Sequence, residues 1–531
     1  MPSRHRFLQR RRPHACLPLV GCLLFAAPAL MAETGATEDL RLPNAAMQRD
    51  VDTVLALLQE GANPDVKGRF GTPALHWLVH VDEVEAVKAL LDHGADANGL
   101  TSEGLPALSL AVANGNTAMV QLLLDHGADA NTREPTGEPI LLSAAAVGVP
   151  GVVSALLKAG AEVDALDRDF GQTPLMAASR EGHLEAARLL LAAGANPNTS
   201  TNVGETPPFV APNSVPGFGF GVGILRGGVP ADRGRREPTP GGMTPLLYAA
   251  RGGHVDVGQA LLDAGAELNT REANDIWPLL MAISNNKMPM AHFLLQQKNV
   301  LIDSQDWYGR SPIWEAVNVR NLYVHNATFV NGIDRAPVLT LIQELLEAGA
   351  DPNVRTKETP PFRHYLLEIT GSLEWVDFTG QTPFLTAALA GDVTVMKLLL
   401  EHGADPLIDT FEGTSPLMAA AGVNWVVAQT WTESEEQLLE AVKLCHELGM
   451  DVNQTNSMGL TALMGAANRG SDAIIQYLVD NGADLTLQDN EQRTALDWAN
   501  GVFLATHPAE SKPSSIALIT ELLTAQGKEV R

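Results

Sequence analysis

The side chains of this chain that could do chemistry are fourteen histidines, three cysteines and a large surplus of carboxylates. Histidine titrates near neutral pH and ligates metals, so its placement decides whether catalysis is within reach. That placement is periodic. His76 follows a leucine, His183 and His254 each follow a glycine, and His93, His126 and His402 each precede Gly-Ala. A residue that returns in a fixed sequence context is there for structure. Cys445-His446 is a thiol beside an imidazole, the raw material of an activated nucleophile. It stands where a leucine pair stands elsewhere, which reads as a buried helix position. Glu433, Glu435 and Glu436 fall where a helix should begin and favour its dipole. The glycine run 217–223 lacks the G-x-G-x-x-G spacing, the preceding strand and the following helix of a phosphate cradle. No P-loop, HExxH, EF-hand loop, CxxCH or nucleophile motif occurs. His325, Asp334, His364 and Glu368 are the best source of a pocket for an enzyme or small-ligand binder, the alternative reading. The expectation is a chain that is not an enzyme and has no cofactor, metal or catalytic residue.

The elements that would position any site are set by a repeat. A Gly-Ala-Asp-like triplet begins at Gly61, Gly94, Gly127, Gly160, Gly194, Gly265, Gly349, Gly403, Gly449 and Gly482, the first intervals being 33, 33, 33 and 34 residues. A second marker, Gly-x-Thr-Pro-Leu or a near variant, begins at Gly71, Gly104, Gly137, Gly171, Gly242, Gly309, Gly380, Gly413 and Gly459. Thr-Pro suits a helix start, the hydroxyl capping free N–H groups and the proline fitting the first turn. Pairs such as Leu90-Leu91, Leu156-Leu157 and Leu399-Leu400 supply the buried stripe of a second helix. The triplet glycine then ends that helix in a left-handed cap. No such unit can bury its apolar face alone, so stability must come from stacking on neighbours.

The unit from Gly171-Gln172-Thr173-Pro174-Leu175 through Gly182-His183 to Leu189-Leu190-Leu191 and Gly194-Ala195-Asn196 resembles the ankyrin repeat. The resemblance covers roughly residues 40 to 527 in about eleven units. It implies an all-α solenoid of helix-turn-helix units with short β-hairpin fingers, and non-catalytic protein binding through the fingers and first helices. Pro73, Pro106 and Pro139 depart from the pattern at the threonine slot, putting those caps in doubt, and Lys298 replaces a triplet glycine.

Insertions interrupt the repeat. From Gly171 to Gly242, and again from Gly309 to Gly380, the spacing is 71 residues. About 38 extra residues follow Asn198, about 17 lie near 317–335, about 21 follow Asn353, and about 13 surround Trp425 and Trp431. Both finger insertions carry Glu-Thr-Pro-Pro-Phe, at 205–209 and 358–362. Long loops on a rigid scaffold commonly carry recognition. Phe209, Phe218, Phe220, Phe362, Tyr365 and Trp375 are therefore the residues expected to form one partner-binding surface. Phe70, Phe170, Trp307 and Tyr308 join them as finger-tip positions, which in ankyrin-like proteins face a partner.

The domain reading assigns 1–32 to a signal peptide, 33–69 to a capping region with a partial repeat and 70–198 to repeats. It continues with a Gly/Pro-rich finger insertion at 199–241, repeats at 242–353 and a second finger insertion at 354–378. Repeats with an insertion near 423–436 fill 379–491, and 492–531 forms a closing repeat and cap. Arg4, Arg6, Arg10, Arg11 and Arg12 precede an apolar run from Ala15 to Met31 ending in small residues, the pattern of a bacterial secretory signal. The expected location is periplasmic or extracellular, with a lipoprotein anchored at Cys22 as the alternative and no transmembrane span in the mature chain. Formal net charge is −26, and without the first 32 residues 31 basic residues face 62 acidic ones. Such a surface repels nucleic acid. The partner expected is a protein, basic or neutral in charge, held by a monomer.

Overall fold

A computed structural model describes residues 39–68, 70–204, 240–321, 335–358, 376–377, 379–424, 433–502 and 509–530. Among them lie 24 α-helices, which pair as twelve antiparallel hairpins. The chain forms two compact units, residues 1–196 and 197–531. Unit one holds five helical pairs and unit two holds seven. Residues 39–60, expected to be a partial repeat, make a full pair, Arg41–Met47 and Val51–Gln59. The closing helix runs Pro513–Ala525.

Within each unit the first helix of a pair packs on the first helices of its neighbours, for example Ile140–Val147 on Pro174–Glu181 and Pro383–Ala390 on Pro416–Ala421. Alanine makes this close approach possible: Ala144, Ala177, Ala178, Ala387, Ala388, Ala419 and Ala420 are wholly buried. On the second helices the leading leucine of each pair, Leu90, Leu156 and Leu399, is fully enclosed. Leu91 is buried as well, while Leu157 and Leu400 are half-buried. Each fully buried leucine contributes about 1.5–3 kcal/mol.

Helix starts follow the residue at the cap. Thr173, Thr244, Ser311, Thr382, Ser415, Thr461 and Thr494 each accept a hydrogen bond from the backbone N–H three residues on. Pro73, Pro106 and Pro139 hold the same extended backbone without a side-chain cap. Restoring the hydroxyl should therefore help: Pro73→Thr is expected to stabilise the protein by about 0.5–1 kcal/mol, the capping gain less the lost proline rigidity. A rise in thermal midpoint checks it, and an unchanged or lower midpoint contradicts it.

Helix ends turn on left-handed glycines, with φ of +84° at Gly61 and +94° at Gly482. In the unit carrying Lys298 it is Asn299 that takes the left-handed conformation, at φ +66°. Asparagine tolerates that region better than other side chains. An amide ladder then joins successive repeats. Asn98, Asn131, Asn198, Asn353 and Asn453 each donate to the triplet-glycine carbonyl of the next repeat at 2.8–3.2 Å. Each Oδ1 accepts from a backbone N–H two residues beyond that glycine.

The fingers are shorter than the β-hairpins expected. Among the described residues they are tight turns closed by single antiparallel bridges, Lys67–Pro73, Leu100–Pro106 and Arg133–Pro139, with no extended strand. The finger insertions leave and rejoin the frame at pinched bases. Gly204 N–H donates to Pro240 O at 2.8 Å and Thr201 N–H to Met243 O at 3.0 Å. Thr356 N–H donates to Gln381 O, and Gly380 N–H returns to Thr356 O, both at 3.0 Å.

Candidate functional site

In five fingers one polar side chain at the base accepts two of the tip's backbone N–H groups. Asp306 Oδ1 takes Tyr308 and Arg310 N–H at 3.0 and 2.8 Å. Asp489 Oδ1 takes Glu491 and Arg493 N–H, both at 2.9 Å. Asn456, Glu272 and Asp167 do the same in their own turns. Satisfied backbone groups let the turn stand out from the helices without a strand to support it.

Exposed apolar side chains stand on the Gly68, Asp167 and Thr410 turns. Phe170 is 60% exposed, Phe411 56% and Phe70 48%. Trp307 is half-buried, edge-on to Tyr308 with ring centroids 5.1 Å apart. Tyr308 itself is buried against the Arg310 guanidinium. Of the finger-tip residues named from sequence, Phe70 and Phe170 thus project, while Trp307 and Tyr308 fold inward. Phe209, Phe218, Phe220, Phe362, Tyr365 and Trp375 lie outside the described residues, as do His325, Asp334, His364 and Glu368. Phe411 was missed, although it sits two residues before Gly413 as Trp307 does before Gly309. Its ring lies 4.2 Å from the Arg355 guanidinium, in cation–π contact.

The histidines do structural work. Nδ1 of His93, His126 and His402 meets the carbonyl four residues back at 2.7–3.0 Å, tying off the second helix. His183 Nε2 reaches Ala146 O of the preceding repeat at 3.0 Å. His446 Nδ1 meets the Tyr477 hydroxyl at 2.9 Å, so it does not activate Cys445, whose thiol burial pushes far up. Among the described residues no group of three His, Cys, Asp or Glu side chains could hold a metal ion. No described helix is long and apolar enough to cross a membrane.

His76 is the most perturbed imidazole. It is 1% exposed, its Nε2 lies 2.9 Å from Leu105 O, and its buried Nδ1 has no partner. Burial pushes it down to about 4, against the pull of the Leu105 carbonyl. The unfolded chain accepts a proton below about pH 6.5 that the folded chain refuses until about pH 4. Stability should therefore fall as pH falls through that window, by about 3 kcal/mol in total. Denaturant midpoints at pH 7 and pH 4 test this: His76→Gln should flatten the slope, and an equal slope in both proteins contradicts it.

Comparison with known families fits this geometry. A model described as ankyrin repeats (3 copies) matches residues 42–134, 130–201 and 432–502. Ankyrin repeats (many copies) matches 246–295, and a single ankyrin repeat matches 379–408. Among curated relatives, the ankyrin repeat and KH domain-containing protein mask-1 of Caenorhabditis elegans is 28% identical over 47% of this chain and 9% of its own length. Ankyrin repeat protein nuc-2 of Neurospora crassa is 32% identical over 41% of this chain and 19% of its own. Human ankyrin repeat domain-containing protein 63 is 31% identical over 38% of this chain and 41% of its own. The chain thus spans less than half the length of each. The solved ankyrin repeat domains of Bcl-3 and human ASB11 align over 49% of this chain and 99% and 98% of theirs. Their identities are 23% and 24%, with TM-scores of 0.36 and 0.37.

Proposed function

Because this chain is an ankyrin-repeat protein, we propose that it is a non-catalytic scaffold that holds a partner protein on its finger tips and first-helix face. The observation that carries the reading is the exposure of Phe70, Phe170 and Phe411 on finger turns, Phe170 on one whose backbone Asp167 braces. Rigid apolar groups lose little conformational entropy on docking and serve as anchors. Histidines engaged in helix ends and repeat junctions support a scaffold over an enzyme. In the same proposal the finger insertions at 199–241 and 354–378 contribute Phe209, Phe218, Phe220, Phe362, Tyr365 and Trp375 to the contact.

The site of action belongs to the same proposal. The basic, then apolar, then small-residue order of residues 1–32 directs export, to the periplasm or cell exterior. The relatives at hand are from animals and a fungus and lend a bacterial origin no support. The intact mass of the mature protein tests export, because an unprocessed or uncleaved N-terminus contradicts it.

Site-specific photocrosslinking tests the docking. A crosslinking residue at position 70, 170 or 411 should capture one discrete protein. The same residue at Arg188, on the outer second helix, should not. Equal capture from both faces, or none at the fingers, contradicts the reading.

A further inference from the structure

One repeat junction of unit two is left untied on its loop side. Elsewhere in the unit, the residue four places after the left-handed turn that ends a second helix reaches the loop of the next repeat. Asn198, Asn269, Asp303, Asn353 and Asn453 accept there from the backbone N–H of Glu267, Leu301, Asp351, Asp405 and Asp484 at 2.7–3.2 Å. The four asparagines also donate to a carbonyl of that loop at 2.8–3.1 Å. Leu407 holds the same place after Gly403 and can do neither. In the loop that follows it, the groups such a side chain would bond are the Asp451 N–H and the Gly449 carbonyl. Neither has a hydrogen-bond partner among the described residues. The leucine gains no burial in exchange, for it is 57% exposed.

The helix that leads into that loop is loose in its own last turn. In the flanking repeats the second helix closes with Ala350 N–H on Leu345 O, Ala404 N–H on Leu399 O and Ala483 N–H on Leu478 O, each at 2.9 Å. The corresponding bond at the end of Glu435–Glu447, Met450 N–H to Cys445 O, is 3.4 Å long. That is beyond the usual range. Met450 stands where those alanines stand and is 5% exposed, so a longer side chain is packed into a place that elsewhere holds a methyl group. The other sides of the junction are fastened. On the finger side Phe411 N–H donates to Thr379 O at 2.9 Å and Arg355 Nη2 to Asp409 O at 2.6 Å. Ahead of the same helix, Glu433 N–H donates to Ala390 O at 2.9 Å and the Glu433 carboxylate meets Arg335. The loop itself is tied forward, through Asn453 Nδ2 to Gly482 O at 2.9 Å and through His446 to the Tyr477 hydroxyl.

We infer that this junction is a hinge. The C-terminal end of Glu435–Glu447 parts from Val393–Glu401 and moves with the repeats after it, while the finger side and the N-terminal end of the helix hold. Two missing hydrogen bonds make opening here easier than at the tied junctions by about tenfold or more. Such an opening changes the curvature of the stack without unfolding a repeat, because each repeat touches only its neighbours. The hinge belongs to the stack itself and stands or falls apart from any partner.

Amide exchange of the full chain, read at single residues and corrected for intrinsic rates, tests it. The Gly449 and Met450 amides should exchange about tenfold or more faster than the same positions in both neighbouring repeats, Gly403 and Ala404, and Gly482 and Ala483. Leu407→Asn should tie the junction and slow Gly449 and Met450 by a similar factor, leaving the other two turns within about twofold of wild type. Asn453→Leu should move the weakness one repeat on, speeding Ala483 by about tenfold. Equal exchange in the three turns of the wild-type protein overturns the hinge. So does a Leu407→Asn protein in which Met450 is unchanged, or is slowed only as much as Ala404 and Ala483, since that would be a gain spread over the whole unit.

Discussion

Replacing Asp392 by alanine should destabilise unit two by about 3 kcal/mol. Among the described residues it takes from buried Arg320 its only carboxylate and from half-buried Arg335 one of two. Asp392 is 2% exposed, and its Oδ2 accepts from Arg320 Nε at 2.8 Å and Arg335 Nη2 at 2.9 Å. Arg335 also meets Glu433 and donates to Asn321 Oδ1 at 3.0 Å. Arg320 and Arg335 stand on either side of residues 322–334, and Glu433 directly follows residues 425–432. One carboxylate thus fastens the bases of both inter-helix insertions. Its Oδ1 also caps the helix Val393–Glu401 by accepting from Val395 N–H at 3.3 Å. The two roles separate experimentally. Asp392→Asn keeps a capping oxygen and loses the charge, so it should lose nearly as much stability as alanine. Thermal unfolding and amide exchange in Val393–Glu401 read both. A near-native Asp392→Asn would show that the cap, and not the ion network, carries the stability.

Alanine at Phe170 should weaken partner capture by about thirtyfold, near 2 kcal/mol, while moving the thermal midpoint hardly at all. The ring is 60% exposed, so its loss from the free protein removes little packing. Substitution of an exposed residue away from caps and networks is usually within about 0.5 kcal/mol of neutral. Tyr308→Ala is the contrasting case. Its ring is buried beside Trp307 and Arg310, so the main effect there should be on stability. Titration of each variant against the captured partner, alongside thermal melts, distinguishes the two. Should Phe170→Ala unfold the protein, or leave capture intact, the finger-tip anchor is wrong.

Much of the frame was legible because its determinants are local. A threonine at the start of a first helix can cap it with its own hydroxyl, and Thr173, Thr382 and Thr461 do so as expected. The doubt over Pro73, Pro106 and Pro139 was equally local and correct, since no side-chain cap forms there. The histidine slots were readable by recurrence alone. The amide ladder carried a signal that went unused: Asn98, Asn131, Asn198, Asn269, Asn353 and Asn453 all fall four residues after a triplet glycine. Only Asn269, ahead of Lys298, meets a different carbonyl, that of Asn299.

The sequence by itself determined the repeat, the helix boundaries and the burial stripe, because period, cap and left-handed turn are properties of a few consecutive residues. Tertiary structure alone decided what depends on residues brought together from distant repeats. It divided the chain into two units, enclosed Tyr308 while leaving Phe170 in solvent, and joined Arg320 to Asp392 across 72 positions. Exposure and charge compensation are sums over neighbours in space, and a one-dimensional pattern does not contain those neighbours.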